Sequence, residues 1–274
     1  MKIAAVNING QRHLALYNNG GLALLDDYGI KTTEISSLSG DDFKKIHDIN
    51  DFKDYDFSFE SIIDERSTLM CIGLNYKSHV SEHEGGKVPE TPVVFTKSNN
   101  TFAGSGATVE AGNGMKVDYE GELCVMIGKM ARNVPEKDAL DYVLGYFVGN
   151  DVSSRLMQFK TTQFYLGKSF DNFYPHGPYI SIDEIKDPQK LKIQTQVNGE
   201  LRQNSNTEFM IFPVNTLISY ISKYITLRPG DCISTGTPAG VIMGMPEEKQ
   251  KWLGNGDRVD VTIESLGTLS ATFK

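Results

Sequence analysis

Short apolar segments bounded by turn residues dominate the chain from residue 69 onward. Segments of about four to eight such residues predict β-strands. The predicted strands are Leu69–Leu74, Pro92–Lys97, Asp118–Gly128, Val143–Asp151, Leu191–Val197, Cys232–Thr235, Arg258–Ile263 and Thr268–Phe273. Helical patterns occur at Pro135–Tyr142 and Phe209–Tyr224. Because strands outnumber helices, the pattern indicates a β-dominated α+β fold rather than an alternating βαβ fold.

The first 68 residues show a different pattern, with shorter alternating segments at Lys2–Asn9 and His13–Tyr17. Asn18-Asn19-Gly20-Gly21 stands between apolar runs and is typical of a hairpin turn. A polar stretch, Ser39–Asp54, follows these segments, and we expect one short helix within this N-terminal part of the chain. We therefore predict a small β-rich N-terminal domain over residues 1–68 and a larger domain over residues 69–274.

Composition excludes several classes of protein. The chain has 274 residues, of which 39% are hydrophobic, so it can bury a core. The formal net charge of −8, without basic runs, argues against nucleic acid and anionic membranes as partners. The apolar runs fall short of the ~20 residues that a membrane helix needs. Three scattered cysteines, Cys71, Cys124 and Cys232, indicate reduced thiols in a cytoplasmic protein.

Carboxylates provide the first candidate chemistry. Glu120 and Glu122 are two positions apart in a predicted strand, so their side chains point to the same face. Two neighbouring carboxylates beside apolar residues need a positive partner, and a hard divalent cation is a suitable one. The alternative is an edge strand with two solvated glutamates. Asp151 ends the next apolar run. It is either a third ligand of the cation or the N-cap of a helix over Val152–Phe159.

The segment His79-Val80-Ser81-Glu82-His83 matches the H-x-x-E-H pattern of some zinc proteases. The glycines that follow allow only a short helix there, which disfavours the protease interpretation. A histidine with a glutamate three residues later on a helix can instead form an acid–base pair. The remaining alternative is a short solvated helix.

Two further segments are ambiguous when each is taken singly. Lys168 lies in Gly167–Asp171 and is either a site residue or an ordinary surface lysine. The glycine-containing loop Thr235–Gly240 follows a predicted buried strand, where its backbone N–H groups could hold an anion. The spacing of a phosphate-binding loop is absent from the sequence.

Taken in order, these segments resemble the fumarylacetoacetate hydrolase family over residues 69–273. The matching segments are Gly73-Leu74-Asn75-Tyr76 with His79 and Glu82, Pro92–Lys97, Asp118–Glu122, Asn150–Ser153 with Arg155 and Gln158, Gly167–Asp171, Gly177-Pro178, Val197–Glu200 and Thr235–Gly240. Leu156 departs from the family, because relatives often carry an acidic residue there; this departure bears on substrate contacts.

The resemblance implies a mixed β-roll or sandwich catalytic domain, a homodimer, and Mg²⁺ or Mn²⁺ as the cofactor, with Ca²⁺ as a substitute. It implies metal ligands at Glu120, Glu122 and Asp151, and it favours the ligand role of Asp151 over the cap. It also implies catalytic roles for His79, Glu82 and Lys168, and substrate contacts at Arg155, Gln158 and Thr237.

The implied activity is hydrolysis of a C–C bond in a small 2,4-dioxo acid of the acylpyruvate or fumarylpyruvate type, with release of pyruvate, as in aromatic catabolism. Decarboxylation or tautomerisation of oxaloacetate is the alternative, together with isomerisation or hydration of an unsaturated 2-oxo diacid. A non-catalytic protein on the same scaffold would have lost a ligand or Lys168, and the sequence retains them all.

Overall fold

The computed structural model describes residues 1–82, 87–112 and 114–274. Within these ranges the strands are β1 Lys2–Ile8, β2 Gln11–Asn18, β3 Gly21–Leu24, β4 Ser58–Phe59, β5 Leu69–Gly73, β6 Val93–Thr96, β7 Phe102–Ala103, β8 Thr108–Val109, β9 Val117–Asp118, β10 Gly121–Ile127, β11 Val143–Asn150, β12 Ser153–Ser154, β13 Tyr174–Ser181, β14 Lys192–Val197, β15 Glu200–Asn206, β16 Cys232–Ser234, β17 Arg258–Ile263 and β18 Gly267–Phe273. The α-helices are α1 Gly40–His47, α2 Lys77–Val80, α3 Arg155–Gln158, α4 Tyr165–Lys168 and α5 Val214–Ser222.

Most of these strands form one large sheet in the order β3-β2-β1-β13-β11-β10-β16-β5-β6, with β4 beside β1 and β7 beside β13. Strands β10 and β11 lie in its middle and pair antiparallel from Gly121–Asn150 to Ile127–Val143. Strand β16 pairs antiparallel with β10 and parallel with β5. The sheet therefore brings segments that are far apart in sequence to the ends of β10 and β11.

A second sheet, in the order β15-β14-β17-β18-β8, packs against one face of the first. Alternate residues of β17 are buried, as expected for a strand with one face on a core. Leu123 and Val125 of β10 meet Val259 and Val261 of β17 in this core. The opposite face of β10 packs into a separate core with the N-terminal strands. The predicted β-dominated fold is thus confirmed.

The hairpin signal at Asn18–Gly21 forms the turn it predicts, and Asn198-Gly199 forms a second turn of the same kind. Asn19 and Gly20 connect β2 to β3 with φ values of 47° and 93°, and Asn198 and Gly199 connect β14 to β15 with φ values of 51° and 80°. Positive φ at both central residues is typical of the type I′ turn, and asparagine and glycine tolerate it best. The tight turns set the registers of both hairpins.

The N-terminal strands extend the large sheet, because Lys2 and Ile3 of β1 pair with Ser181 and Ile180 of β13. The division at residue 68 stays a prediction. The predicted strand Asp118–Gly128 is interrupted, since β9 ends at Asp118 and β10 begins at Gly121. None of the described helices is long and apolar enough to cross a membrane.

The alternative of Asp151 as a helix N-cap is wrong. The helix that follows begins at Arg155, and its N-cap position is occupied by Ser154. Residues 153–154 form the short strand β12 instead, which pairs with β9 at Ser153–Asp118. The carboxylate of Asp151 is therefore left for other partners.

Burial of His176 in the large sheet should make the stability of the protein pH-dependent. Its Nδ1 lies 2.8 Å from the carbonyl oxygen of Tyr174, which can only accept, and its Nε2 lies 2.9 Å from Ser61 Oγ. Burial lowers the pKa of His176 from 6.5 to about 4. Between these two values the unfolded chain binds a proton that the folded chain does not. This contribution to stability is therefore present above pH 6.5 and is lost as the pH falls towards 4.

We expect His176→Gln, which keeps polar atoms without titrating there, to flatten the pH dependence of unfolding. Urea denaturation at several pH values measures the free energy of unfolding. Between pH 6.5 and 4, this free energy should fall for wild type by up to about 1.4 kcal/mol per pH unit more than for the variant. His47→Gln, at an exposed position of α1, is the matched control and should follow wild type. Parallel pH profiles for wild type and His176→Gln would contradict this prediction.

Candidate functional site

A buried group of carboxylates lies where β10 begins and β11 ends. The Asp151 N–H donates to the Glu120 carbonyl oxygen at 2.9 Å, and the Glu120 N–H donates to Asn150 Oδ1 at 2.9 Å. Glu122 follows two residues later on β10, with Gly149 opposite it. Carboxylate oxygens of Glu120, Glu122 and Asp151 lie within 4.8 Å of one another. The three predicted metal ligands are therefore brought together.

Two lysines supply positive charge to this cluster. Lys168 Nζ donates to Glu120 Oε2 at 2.6 Å and to Asp151 Oδ2 at 2.9 Å. Lys97 Nζ donates to Asp151 Oδ1 at 2.6 Å and to the Val152 carbonyl at 2.9 Å. Burial lowers the pKa of Lys97, although the negative charge of Asp151 acts to raise it. Burial also acts to lower the pKa of Lys168, but Asp151 and Glu120 outweigh it and raise that pKa.

Arg155 contacts the cluster from α3. Its Nε donates to Asp118 Oδ2 at 2.9 Å, and its Nη1 lies 2.8 Å from Gln158 Oε1 and 2.7 Å from Glu120 Oε1. Its Nη2 forms an ion pair with Asp118 Oδ2 at 2.9 Å, but the geometry of this contact is not that of a hydrogen bond. Burial acts to raise the pKa of Glu120, but the charges of Lys168 and Arg155 outweigh it and hold that pKa well below its usual range.

Glu122 has a different environment. Its Oε2 accepts hydrogen bonds from Ser234 Oγ at 2.6 Å and from the Gly236 N–H at 2.9 Å. Burial, followed by the charges of Asp151 and Glu120, raises the pKa of Glu122 well above its usual range. Unlike Glu120 and Asp151, Glu122 forms no ion pair with a cationic side chain of the described residues, so it is the carboxylate of the three with the least positive charge in contact.

The donor set fits a hard divalent cation. All three side chains offer carboxylate oxygens, which suit Mg²⁺, Mn²⁺ or Ca²⁺. Each ionised oxygen can accept more than one partner, so the lysine contacts leave lone pairs for a cation. The shortage of positive charge at Glu122 is a second reason for the fit. The cluster would hold the ion through Glu120, Glu122 and Asp151.

His79 and Glu82 form the predicted pair on α2 and in the turn after it. His79 Nδ1 lies 2.8 Å from Glu82 Oε2, and the Gly240 N–H donates to Glu82 Oε1 at 2.7 Å. An ionised carboxylate only accepts, so this contact places the neutral ring's proton on Nδ1 and makes Nε2 the accepting nitrogen of the ring. His83, the second histidine of the zinc-protease pattern, lies outside the described residues.

A cavity of about 220 Å³ joins these groups. Seven of the predicted site residues line it, namely His79, Glu120, Glu122, Arg155, Gln158, Lys168 and Thr237. Glu82 and Asp151 contact His79 and Lys168, respectively. The rest of the lining is mainly apolar and includes Phe95, Phe159, Phe164 and Met243. The lining therefore combines a charged and polar group of side chains with a mainly apolar set.

Thr237 is held rigidly beside the cluster. Its Oγ1 donates to the Gly121 carbonyl at 2.9 Å and accepts from Gln203 Nε2 at 2.8 Å. Gln203 is fully buried, and its Oε1 accepts from the Gly121 N–H at 3.1 Å. The predicted substrate contact at Thr237 stays a prediction, as do the other assigned roles.

Sequence reasoning missed several residues at the site. These are Lys97, Asp118, Gln203 and Ser234, which support the cluster, and Lys87, which lines the cavity. Lys97 and Asp118 had a usable signal, because a charged residue ends or begins an apolar run, as at Asp151. Gln203 and Ser234 had none, since buried polar residues of this kind are common in strands.

Comparisons with known proteins agree with this geometry. The family model described as Fumarylacetoacetate (FAA) hydrolase C-terminal matches residues 68–274. Oxaloacetate tautomerase YisK of Bacillus subtilis (strain 168) is 44% identical over 206 residues, which cover 74% of this chain and 68% of that protein.

Solved structures match the whole chain. The structure of a putative HpcE protein from Mycobacterium smegmatis has a TM-score of 0.88 at 33% identity and covers 100% of this chain and 99% of its own. That of fumarylacetoacetate hydrolase from Exiguobacterium antarcticum has a TM-score of 0.86 at 31% identity, with 100% and 99% covered.

The fold and the acidic cluster are those of a class of enzymes that includes hydrolases, isomerases and tautomerases and that uses divalent metals. The chain belongs to the fumarylacetoacetate hydrolase family. The family resemblance predicted from the sequence is confirmed.

Removal of the Lys97 charge should destabilise the protein most when no divalent cation is present. Lys97→Met leaves Asp151 with one cationic partner fewer in a buried position. Loss of one partner of a buried pair costs about 3–5 kcal/mol. Guanidinium denaturation in EDTA should show this loss, and Mn²⁺ should restore part of it by neutralising Asp151.

Lys44→Met is the matched control, because Lys44 forms an exposed ion pair with Asp41. Exposed pairs contribute at most about 1 kcal/mol, and Mn²⁺ should not change the effect of this variant. If Lys97→Met in EDTA unfolds at the wild-type midpoint, the cluster does not depend on the Lys97 charge.

Proposed function

We propose that this chain is a divalent-metal-dependent enzyme that moves a proton at the carbon next to the keto group of a small 2-oxo acid. The observation that carries the proposal is that His79, with Nδ1 fixed by Glu82, lines the same cavity as the carboxylate cluster. A base and an electron-withdrawing site on one cavity are the two parts that enolisation needs.

A divalent cation on Glu120, Glu122 and Asp151 would supply positive charge to the carboxylate and keto oxygens of the substrate. The protein's own residues provide the rest. Lys168 adds charge beside the same carboxylates. Thr237 and Gln158 offer hydrogen-bonding groups on the cavity wall, so they would orient the acid. The apolar side chains around the cavity would exclude water from the reacting carbon.

Oxaloacetate tautomerisation is the reaction we place first. His79 would accept a proton from C3 at Nε2 and return it to the oxygen on C2, which converts the keto form to the enol form. Glu82 would stabilise the imidazolium during the transfer, while the Gly240 N–H holds Glu82 in place. The 44% identity with a protein named oxaloacetate tautomerase supports this choice.

Lys87 is a second reason to favour oxaloacetate as the substrate. It lines the cavity, and it forms no ion pair with a carboxylate of the described residues. Arg155 and Lys168, the other cations of the lining, already contact carboxylates of the protein. Lys87 is therefore the lining cation that would meet the second carboxylate of a 2-oxo diacid.

Hydrolysis of an acylpyruvate is the second candidate, and the apolar part of the cavity favours it because an acyl group would pack there. In this reaction His79 would take a proton from water as the oxygen attacks the distal carbonyl. The C3–C4 bond would then break, and C3 would take up a proton as pyruvate forms. We propose a cytoplasmic location and a homodimer for either activity.

A substrate panel tests the proposal directly. Oxaloacetate would be followed by the ultraviolet absorbance of its enol, and acetylpyruvate by release of pyruvate, each with EDTA, Mg²⁺ or Mn²⁺. We expect metal-dependent turnover of oxaloacetate and a loss of about 10²–10⁴-fold in kcat/KM for His79→Ala. His47→Ala, on the exposed side of α1, should match wild type. Turnover of acetylpyruvate alone would replace tautomerisation with hydrolysis, and full activity in EDTA would refute the metal requirement.

Lys87→Ala should separate the two substrates. We expect KM for oxaloacetate to rise about threefold to fivefold, because an exposed ion pair contributes at most about 1 kcal/mol. KM for acetylpyruvate, which has no second carboxylate, should stay unchanged. Lys160→Ala, at an exposed lysine outside the cavity lining, serves as the control. Equal changes in KM for both substrates would contradict a role of Lys87 in binding the second carboxylate of the diacid.

A further inference from the structure

Behind Glu122, three buried side chains form a continuous chain of hydrogen bonds. Ser234 Oγ donates to Glu122 Oε2 at 2.6 Å, and Tyr174 OH donates to Ser234 Oγ at 2.8 Å. Cys124 Sγ lies 2.9 Å from Tyr174 OH. All of these residues are 1% exposed or less. The chain therefore lies inside the protein, on the side of Glu122 away from the cavity.

When Glu122 is ionised, as a metal ligand must be, the hydroxyl protons of this chain point towards its carboxylate. A hydroxyl has one proton, so Ser234, which donates to the carboxylate, must accept from Tyr174. Tyr174 then has no proton left for Cys124, so its oxygen can accept from the thiol, which also lies 3.6 Å from Ser234 Oγ and 3.7 Å from the Glu122 carbonyl oxygen. Aligned hydrogen bonds polarise one another, particularly where water is excluded. The whole chain therefore points its positive end at Glu122 Oε2.

The sheet itself builds this arrangement. Glu122 and Cys124 are two positions apart on β10 and share a face, and Cys124 pairs directly with Ser234 of β16. Gly149, opposite Glu122 on β11, leaves the necessary room. A Cβ at Gly149 would lie 2.5 Å from Cys124 Sγ and 2.8 Å from Tyr174 OH.

The contacts distinguish the two oxygens of Glu122. Oε2 accepts from Ser234 and from the Gly236 N–H, whereas none of the hydrogen bonds between described residues involves Oε1. Glu122 itself lines the cavity. The carboxylate is thus held by one oxygen and leaves the other for a ligand.

We propose that Ser234, Tyr174 and Cys124 are positioning residues that orient Glu122 for a divalent cation and thereby set the affinity of the site. The proposal rests on the cation site of the proposed function. It adds that affinity depends on side chains that never touch the ion. Partners of this kind commonly change metal affinity by about 10–100-fold when they are removed.

The test is calorimetric titration of Mn²⁺ into metal-free protein, with the electron paramagnetic resonance spectrum of bound Mn²⁺ as a second readout. We expect Ser234→Ala to weaken Mn²⁺ binding about tenfold or more, Tyr174→Phe less, and Cys124→Ala least. This order follows the position of each side chain along the chain of hydrogen bonds that starts at the Glu122 carboxylate. Ser234→Thr, which keeps the hydroxyl, should retain most of the affinity, and the spectrum should change in the same order.

Two controls remove buried hydroxyls from the same sheet without touching the chain. Ser181→Ala loses a hydrogen bond to Glu184, and Tyr146→Phe lies on β11. Both should bind Mn²⁺ as wild type does. Wild-type affinity in folded Ser234→Ala and Tyr174→Phe would overturn the positioning role, as would equal losses in the controls. If wild type itself binds no Mn²⁺, the failure lies instead with the proposed metal site. Should Ser234→Ala not fold, Ser234→Thr and Tyr174→Phe still decide the question.

Discussion

Burial of several carboxylates at one point is the constraint on which the rest of this structure depends. Glu120, Glu122 and Asp151 are nearly inaccessible and lie within reach of one another, so their mutual repulsion is weakly screened. Burial of a charge without a partner would cost more than a marginally stable fold can supply. Lys97 and Lys168 provide the positive charge through direct ion pairs with Asp151 and Glu120. The protein thus brings both signs of charge together in a buried environment, as a site for an ionic ligand requires.

The order of strands explains how the charges meet. Strand β6 delivers Lys97 from one edge of the large sheet, while β10 and β11 deliver the carboxylates from its middle. The loop after β16 closes over Glu122 and also holds Glu82 through Gly240. One sheet therefore couples the orientation of the candidate base to that of the candidate metal ligands. A change in strand register would flip side chains to the other face and separate the two.

Much of this could be predicted from sequence where the signal is local. Alternating patterns located strands such as β14 and β17, and Asn-Gly pairs located hairpin turns, because both depend on neighbouring residues. Glu120 and Glu122 were found since their spacing is itself the signal. Ser234 and Gln203 were missed because their roles arise from contacts between segments far apart in sequence, which no short window contains. The alternative in which Asp151 caps a helix failed for a similar reason, since the pairing of β12 with β9 delays the start of the helix to Arg155.

The buried charges fix how the polar part of the cavity lining can bind a ligand. The choice between the proposed reactions would therefore depend on the rest of the lining. Any small 2-oxo acid would present the same carboxylate and keto oxygens to the cluster. The candidates differ only beyond C3, where one carries a carboxylate and the other an acyl group. There the cavity offers Lys87 together with aromatic side chains such as Phe159 and Phe164. These residues lie outside the cluster and can vary without disturbing its charge balance, so a single charged core can serve several related reactions.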